Sequence, residues 1–258
     1  STSSNRMGNV IKFERWIPHV GENRRIHLYL PRGYEVSSER YPVVYFFDGH
    51  NLFSDSDATF GHSLKLKDYL DGWYKKLIVV GIECANEDRQ RFSEYCPFHV
   101  RSWTYGEFDG HGDATMDWIV NDLKPYIDAT YRTIPFRECT AIAGYSLAGL
   151  TALYGVLRYN RWFSKCATIS PSIIIAMEQF KAEFARGGFS PDTRIFFSWG
   201  QSEYEEPLLG DVTRSTLYLE RLAQQHGMRT WICAQPGGQH CEESWKHQVP
   251  ELMKFLWE

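Results

Sequence analysis

Apolar residues along this chain fall into two kinds of run. Short continuous ones occur at Val43–Phe47, Leu77–Ile82, Thr140–Ala143, Ala167–Ser170, Arg194–Trp199 and Thr230–Ala234. Brief apolar runs closed by turn residues mark strands covered on both faces. Longer segments carry apolar positions at helical spacing: Leu64–Lys75, Met116–Tyr131, Leu147–Arg158, Glu178–Arg186, Thr213–Gln225 and Glu242–Trp257. In Met116–Tyr131, for example, Trp118, Ile119, Leu123, Tyr126 and Ile127 share one face. Val10–Ile17 and Ile26–Leu30 read as two further strands, the second closed by Pro31-Arg32-Gly33. Strands that alternate with helices predict an α/β fold with a mostly parallel sheet, helices on both faces and an antiparallel N-terminal edge. Chemistry in such sheets gathers where strands end and loops begin. Two interruptions are therefore of interest: the turn Asp48-Gly49-His50-Asn51, and the long polar and aromatic connection from Glu87 to Gly112.

Composition narrows the possibilities. A chain of 258 residues with 43% hydrophobic and 23% charged residues suits one globular domain, placed at 9–258 behind a polar leader at 1–8. The formal net charge is -4 and no basic stripe occurs, which argues against a nucleic-acid partner. The apolar runs are strand-sized and too short to span a bilayer. Six cysteines are scattered without a C-x-x-C pair, so neither a zinc knuckle nor a redox motif is indicated. With no signal-peptide pattern at the start, the expectation is reduced thiols in a cytoplasmic protein. Aromatic residues reach 16%, which fits either a ring-rich core or an aromatic-lined pocket.

The segment Thr140-Ala-Ile-Ala-Gly-Tyr-Ser146-Leu-Ala-Gly-Leu150 runs from a short strand through small residues into an apolar helix. That is the context of a nucleophile elbow, in which a sharp turn projects the serine hydroxyl above the sheet. Ala148 stands where G-x-S-x-G has its second glycine, and Gly149 follows it. Taken alone the string is weak, because a helix N-cap serine looks much the same. Two later positions strengthen it. The strand Arg194–Trp199 leads to Glu203, and Thr230–Ala234 leads through a glycine-rich loop to His240. Ser, acid, His is the chain order this fold requires. His240 would serve as general base to Ser146, and Glu203 would orient it, with Glu205, Glu206 and Asp211 as rivals for that third role. An oxyanion needs backbone N–H donors. Leu147 supplies one, and His50 or Asn51, in the turn after Val43–Phe47, supplies the other.

Together these stretches resemble the Putative esterase (esterase D-like) family of α/β-hydrolases, to which feruloyl and enterochelin-type esterases belong. The resemblance is carried by YPVVYFFDGHNLF (Tyr41–Phe53), RFSEYCPF (Arg91–Phe98), DLKPYIDATYRT (Asp122–Thr133), AGYSLAGLTALYG (Ala143–Gly155), TISPS (Thr168–Ser172) and GGQHCEESWKHQVPELMKFLW (Gly237–Trp257). It implies the α/β-hydrolase fold, carboxylic ester hydrolysis through an acyl-enzyme, and no cofactor. It marks Ser146, Glu203 and His240 as catalytic, and sets Asp48–Asn51 beside the oxyanion hole.

Phe53, Tyr95, Trp103 and Tyr145, with neighbouring rings of the 87–112 connection, are candidates for a substrate wall facing a small or glycan-linked ester, feruloyl or acetyl in type. A siderophore esterase, or an acyltransferase that uses the same triad, is the alternative. A metal site on His50, His62 and His111 is set aside for want of ligand spacing, and a non-catalytic scaffold would call for the loss of a triad residue. Oligomeric state has no signature in the sequence.

Overall fold

A computed structural model describes residues 7–102 and 106–258. In chain order the strands and helices are β1 (Asn9–Ile17), β2 (Glu22–Leu30), β3 (Val43–Phe47), α1 (Leu66–Gly72), β4 (Ile78–Ile82), α2 (Asp88–Tyr95), β5 (His99–Ser102) and β6 (Gly106–Asp109). There follow α3 (Gly112–Trp118), α4 (Lys124–Thr130), β7 (Thr140–Tyr145), α5 (Leu147–Arg158), β8 (Lys165–Ile169), α6 (Met177–Arg186), β9 (Arg194–Gly200), α7 (Leu208–Gln225), β10 (Arg229–Gln235), α8 (Glu242–Trp245) and α9 (Val249–Trp257).

The main sheet runs β1-β2-β4-β3-β7-β8-β9-β10. β1 and β2 pair antiparallel, as do β2 and β4; from β4 onward every pairing is parallel. This is the α/β-hydrolase arrangement, mostly parallel with an antiparallel N-terminal edge. β3, β4, β7 and β8 are buried at every position, which explains their unbroken apolar character. Apolar residues pack on both faces of the sheet. One cluster gathers α5 with Ile142, Ile195 and Phe197, while the other gathers α9 with Ala143, Ala167 and Phe196. α5 is buried from Leu147 through Leu157, so its sequence is apolar on all sides and not amphipathic.

Several elements differ from the sequence expectation. The described part of the 87–112 connection is structured: α2 is followed by β5 and β6, which pair antiparallel, and Phe92, Tyr95, Phe98 and Phe108 pack inward. Phe92 lies 4.4 Å from Phe108 between ring centroids, and Phe98 packs against Tyr154 and Phe180. The helix expected over Met116–Tyr131 contains a π turn at Ile119–Leu123. α7 begins at Leu208, directly after Pro207. The closing helix is broken by a 3-10 turn at Lys246–Gln248. No helix among the described residues is long and apolar enough to cross a membrane.

Candidate active site

Five segments at the carboxyl ends of β3, β7, β8, β9 and β10 converge above the sheet. β7 leads straight into Ser146, whose backbone stands at φ 59°, ψ -130°, outside the regions L-residues favour. Such a conformation costs about 1–3 kcal/mol and persists only where packing enforces it. The packing here is tight. A Cβ on Gly144 would lie 2.4 Å from the Ala148 carbonyl oxygen, and one on Gly149 would lie 2.9 Å from the Pro171 Cβ. The positions that exclude a side chain are thus Gly144 and Gly149. Ala148 itself is fully buried with its methyl accommodated, which removes the anomaly of its departure from G-x-S-x-G.

His240 follows β10, and its Nε2 is 2.8 Å from Ser146 Oγ. Its Nδ1 bonds Glu203 Oε1 on the far side. The Glu203 side chain is wholly buried, and its other oxygen accepts hydrogen bonds from Ser170 Oγ (2.9 Å) and the Gly200 amide. The loops that carry Glu203 and His240 are stitched together by Gln201 N to Gln235 O and Ser202 N to Gly238 O, each 2.9 Å. The rival acids are engaged elsewhere: Asp211 pairs with Arg214 at 2.6 Å on α7, Glu206 accepts the Gly210 amide, and Glu205 is exposed.

Asp48 ends β3 in the left-handed region at φ 57° and opens a 3-10 turn over Gly49–Asn51. Gly49 is required there, because a Cβ would fall 2.5 Å from the Gly81 carbonyl carbon of β4. The Asn51 amide donates to Asp48 O at 2.9 Å, and its Oδ1 accepts from the Thr59 amide. The Asn51 amide is therefore spent within the turn, contrary to its candidacy as an oxyanion donor. Among the described residues neither the His50 amide nor the Leu147 amide has a hydrogen-bond acceptor. Leu147 opens α5, where the first amides have no intrahelical partner.

The cleft beside Ser146 and His240 is lined by Asp48, His50, Phe60, His62, Cys84, Asp88, Arg91, Tyr145, Glu242, Glu243 and Trp245. Of the rings expected at a substrate wall, only Tyr145 stands among these residues. Phe53 is buried, stacked on Tyr29 with centroids 6.0 Å apart. Tyr95 is buried too; its hydroxyl lies 3.2 Å from Asp48 Oδ1 and 3.3 Å from the Asp48 amide, so it supports the turn from below. Trp103 lies outside the described residues.

Arg91, Glu242 and Phe60 were not singled out beforehand. They come from separate segments, Arg91 from α2, Glu242 from the start of α8 and Phe60 from the loop before α1, so no spacing pattern links them. The signal the sequence offered was that Arg91 and Glu242 fall within the stretches RFSEYCPF and GGQHCEESWKHQVPELMKFLW. Burial pushes the Glu242 carboxyl up and the His50 imidazole down, which favours the neutral form of each.

Of the histidines weighed for a metal, His50 and His62 line the cleft, whereas His111 is exposed just before α3. Asp48, His50 and Cys84 do bring donor atoms within 4.8 Å of one another. Asp48 is already held by Arg91 and Tyr95, however, and burial drives the Cys84 thiol strongly toward its protonated form. The trio fits support of the turn better than a metal site.

A profile of the family described as Putative esterase matches residues 17–255. The chain is 29% identical over 191 residues to the uncharacterized protein YbbA of Bacillus subtilis, covering 73% of this chain and 72% of that protein. Among solved structures, a ferulic acid esterase superposes with a TM-score of 0.71 at 18% identity, covering 97% of both chains. The enterobactin esterase FES of Shigella flexneri gives a TM-score of 0.73 at 17% identity, covering 96% of this chain and 59% of FES.

Proposed function

This chain belongs to the Putative esterase family and is a carboxylesterase-type hydrolase, and on that footing we propose that it cleaves its ester through an acyl-enzyme formed on Ser146. The observation that carries the proposal is the line of contacts Ser146 Oγ to His240 Nε2 at 2.8 Å and His240 Nδ1 to buried Glu203.

Each group has a defined task. A serine hydroxyl is a poor nucleophile at neutral pH until a base accepts its proton. As Ser146 Oγ bonds the ester carbonyl carbon, His240 Nε2 takes that proton, and the carbonyl π electrons move onto oxygen. Glu203 accepts the Nδ1–H bond, fixes the tautomer and stabilises the imidazolium. The amides of Leu147 and His50 receive the oxyanion, a contribution worth about 10²–10³ in turnover per donor. Collapse expels the alcohol, which leaves with the proton from His240. Water then repeats the cycle on the acyl-serine, with His240 as base and then as acid, and releases the carboxylic acid.

The cleft combines hydrogen-bonding groups (Arg91, Asp88, Glu242) with the rings of Tyr145, Trp245 and Phe60. That mixture suits an ester with a hydroxylated aromatic or similarly amphipathic group, the feruloyl type, over a long alkyl chain. A panel of p-nitrophenyl acyl esters and methyl hydroxycinnamates, run on wild type and Ser146→Ala, tests both parts. We expect turnover that Ser146→Ala abolishes, and hydroxycinnamates preferred over long-chain acyl esters. Full activity in Ser146→Ala would refute the nucleophile, and a preference for long chains would refute the substrate class.

A further inference from the structure

Behind the three residues just discussed lies a second polar chain. Trp245 Nε1 is 3.1 Å from Ser170 Oγ, and Ser170 Oγ is 2.9 Å from Glu203 Oε2. Trp245 is 3% exposed and Ser170 2%, so neither contact is shared with solvent. The direction of both bonds is fixed by chemistry. An indole N–H can only donate, so the Ser170 oxygen must accept from it, and the single hydroxyl proton is left to face the Glu203 carboxylate.

Ser170 does not occupy that spot by default. It follows β8 with φ 41°, an unusual conformation for a residue other than glycine, and its amide is held by Ser198 through O (3.1 Å) and Oγ (3.2 Å). Trp245 also makes a second contact. Its ring stands edge-on to the His240 imidazole, centroids 4.9 Å apart and planes at 83°, while Tyr145 packs against it at 4.3 Å. One indole therefore touches both the base and, through Ser170, the acid.

We propose that Ser170 and Trp245 are positioning residues that hold the Glu203 carboxylate and the His240 ring in line with Ser146. The proposal rests on the Ser146–His240–Glu203 assignment above. With Ser170 and the Gly200 amide both donating to Oε2, Oε1 is the oxygen presented to His240 Nδ1. With the indole packed perpendicular to the imidazole at 4.9 Å, it supports the ring in its orientation toward Ser146. A hydroxyl lost from Ser170 frees the carboxylate to turn toward the Gly200 amide, and the Nδ1–H bond weakens.

The test uses Ser170→Ala and Trp245→Phe in the full chain, with Ser146→Ala as reference. Loss of a hydrogen bond to a charged group predicts a fall in kcat of about 10–100-fold in Ser170→Ala, with KM nearly unchanged. Trp245→Phe keeps a ring against His240 but loses the N–H, so its effect is smaller. Because the Trp245 N–H acts on Glu203 through Ser170, the double variant falls little further than Ser170→Ala alone. The low-field NMR resonance of the His240 Nδ1 proton, present in wild type, moves or broadens in both single variants, a change that a general loss of packing elsewhere would not produce. Wild-type kcat and an unmoved resonance in both variants, alongside an inactive Ser146→Ala, would overturn the positioning role. An active Ser146→Ala would instead overturn the underlying triad. Should Ser170→Ala fail to fold, Trp245→Phe decides by the same two readouts.

Discussion

Arg91 Nη2 lies 2.8 Å from Asp48 Oδ2, and the Asp48 carboxylate it grips is almost completely buried at the end of β3. α2 is thereby pinned to the Gly49–Asn51 turn that follows β3. Tyr95, one turn further along α2, holds the same carboxylate. The first part of the connection after β4 thus braces the turn that ends β3.

A buried charge stripped of its partner is costly, so Arg91→Met should lose about 3–5 kcal/mol of stability. It should also lower kcat more than it raises KM, because the turn shifts. Asp48→Asn added to Arg91→Met removes the orphaned charge and should recover part of the stability. Urea unfolding of the two single variants and the double variant measures this coupling.

The two small residues flanking the elbow should differ in their effect on turnover. Gly144→Ala forces a methyl against the Ala148 carbonyl at 2.4 Å, so both stability and turnover should fall, stability by about 1–3 kcal/mol. Ala148→Gly relieves no clash. It removes a buried methyl from the first turn of α5 and should cost about 1 kcal/mol with kcat unchanged. Thermal denaturation with parallel kinetics separates the two.

Among the acids, only Glu203 contacts His240. Glu203→Gln should cut kcat by roughly 10²–10⁴-fold, since a neutral amide neither enforces the tautomer nor stabilises the imidazolium. Asp211→Asn breaks only an exposed pair with Arg214 and should leave kcat as it is. Equal losses in both variants would refute the assignment.

Asp71 offers a pH test of stability away from the cleft. Burial alone would raise its pKa, but the bonds it accepts from Lys67, the Gly8 amide and Tyr29 outweigh burial and hold it below the ordinary aspartate range. A depressed carboxylate contributes stability that is fully present above its unfolded pKa and lost as pH falls through the folded one. Asp71→Asn should therefore be less stable than wild type at neutral pH, with the gap closing below about pH 4. Denaturant midpoints measured across that range check the sign.

The strands of the main sheet and its mostly parallel character could be read from the chain because its central strands are buried on both faces and so form apolar runs, whereas the order β2-β4-β3-β7 emerged only from the structure. Ser146, Glu203 and His240 stood out because each follows such a run. α2 escaped notice because DRQRFSEY buries chiefly Phe92, Tyr95 and the paired Glu94, too few apolar positions for a visible period. The choice between the His50 and Asn51 amides could not be made from composition, since it turns on the Asn51 bond to Asp48 O. Phe53 and Tyr95 read equally well as wall or as core; they proved to be core because Tyr29 and Asp48 lie in reach of them. The polar groups of the cleft could not be assembled from the sequence, because segments distant along the chain contribute them.

The central claim is covalent catalysis at Ser146. Its most direct test is to mix wild type with a slowly deacylating p-nitrophenyl ester, quench in acid, and measure the intact mass followed by peptide mapping. Covalent catalysis at Ser146 predicts one acyl group per chain, attached to the peptide that contains Ser146, and none in Ser146→Ala. Steady turnover with no acyl adduct, or an adduct on another residue, would contradict it.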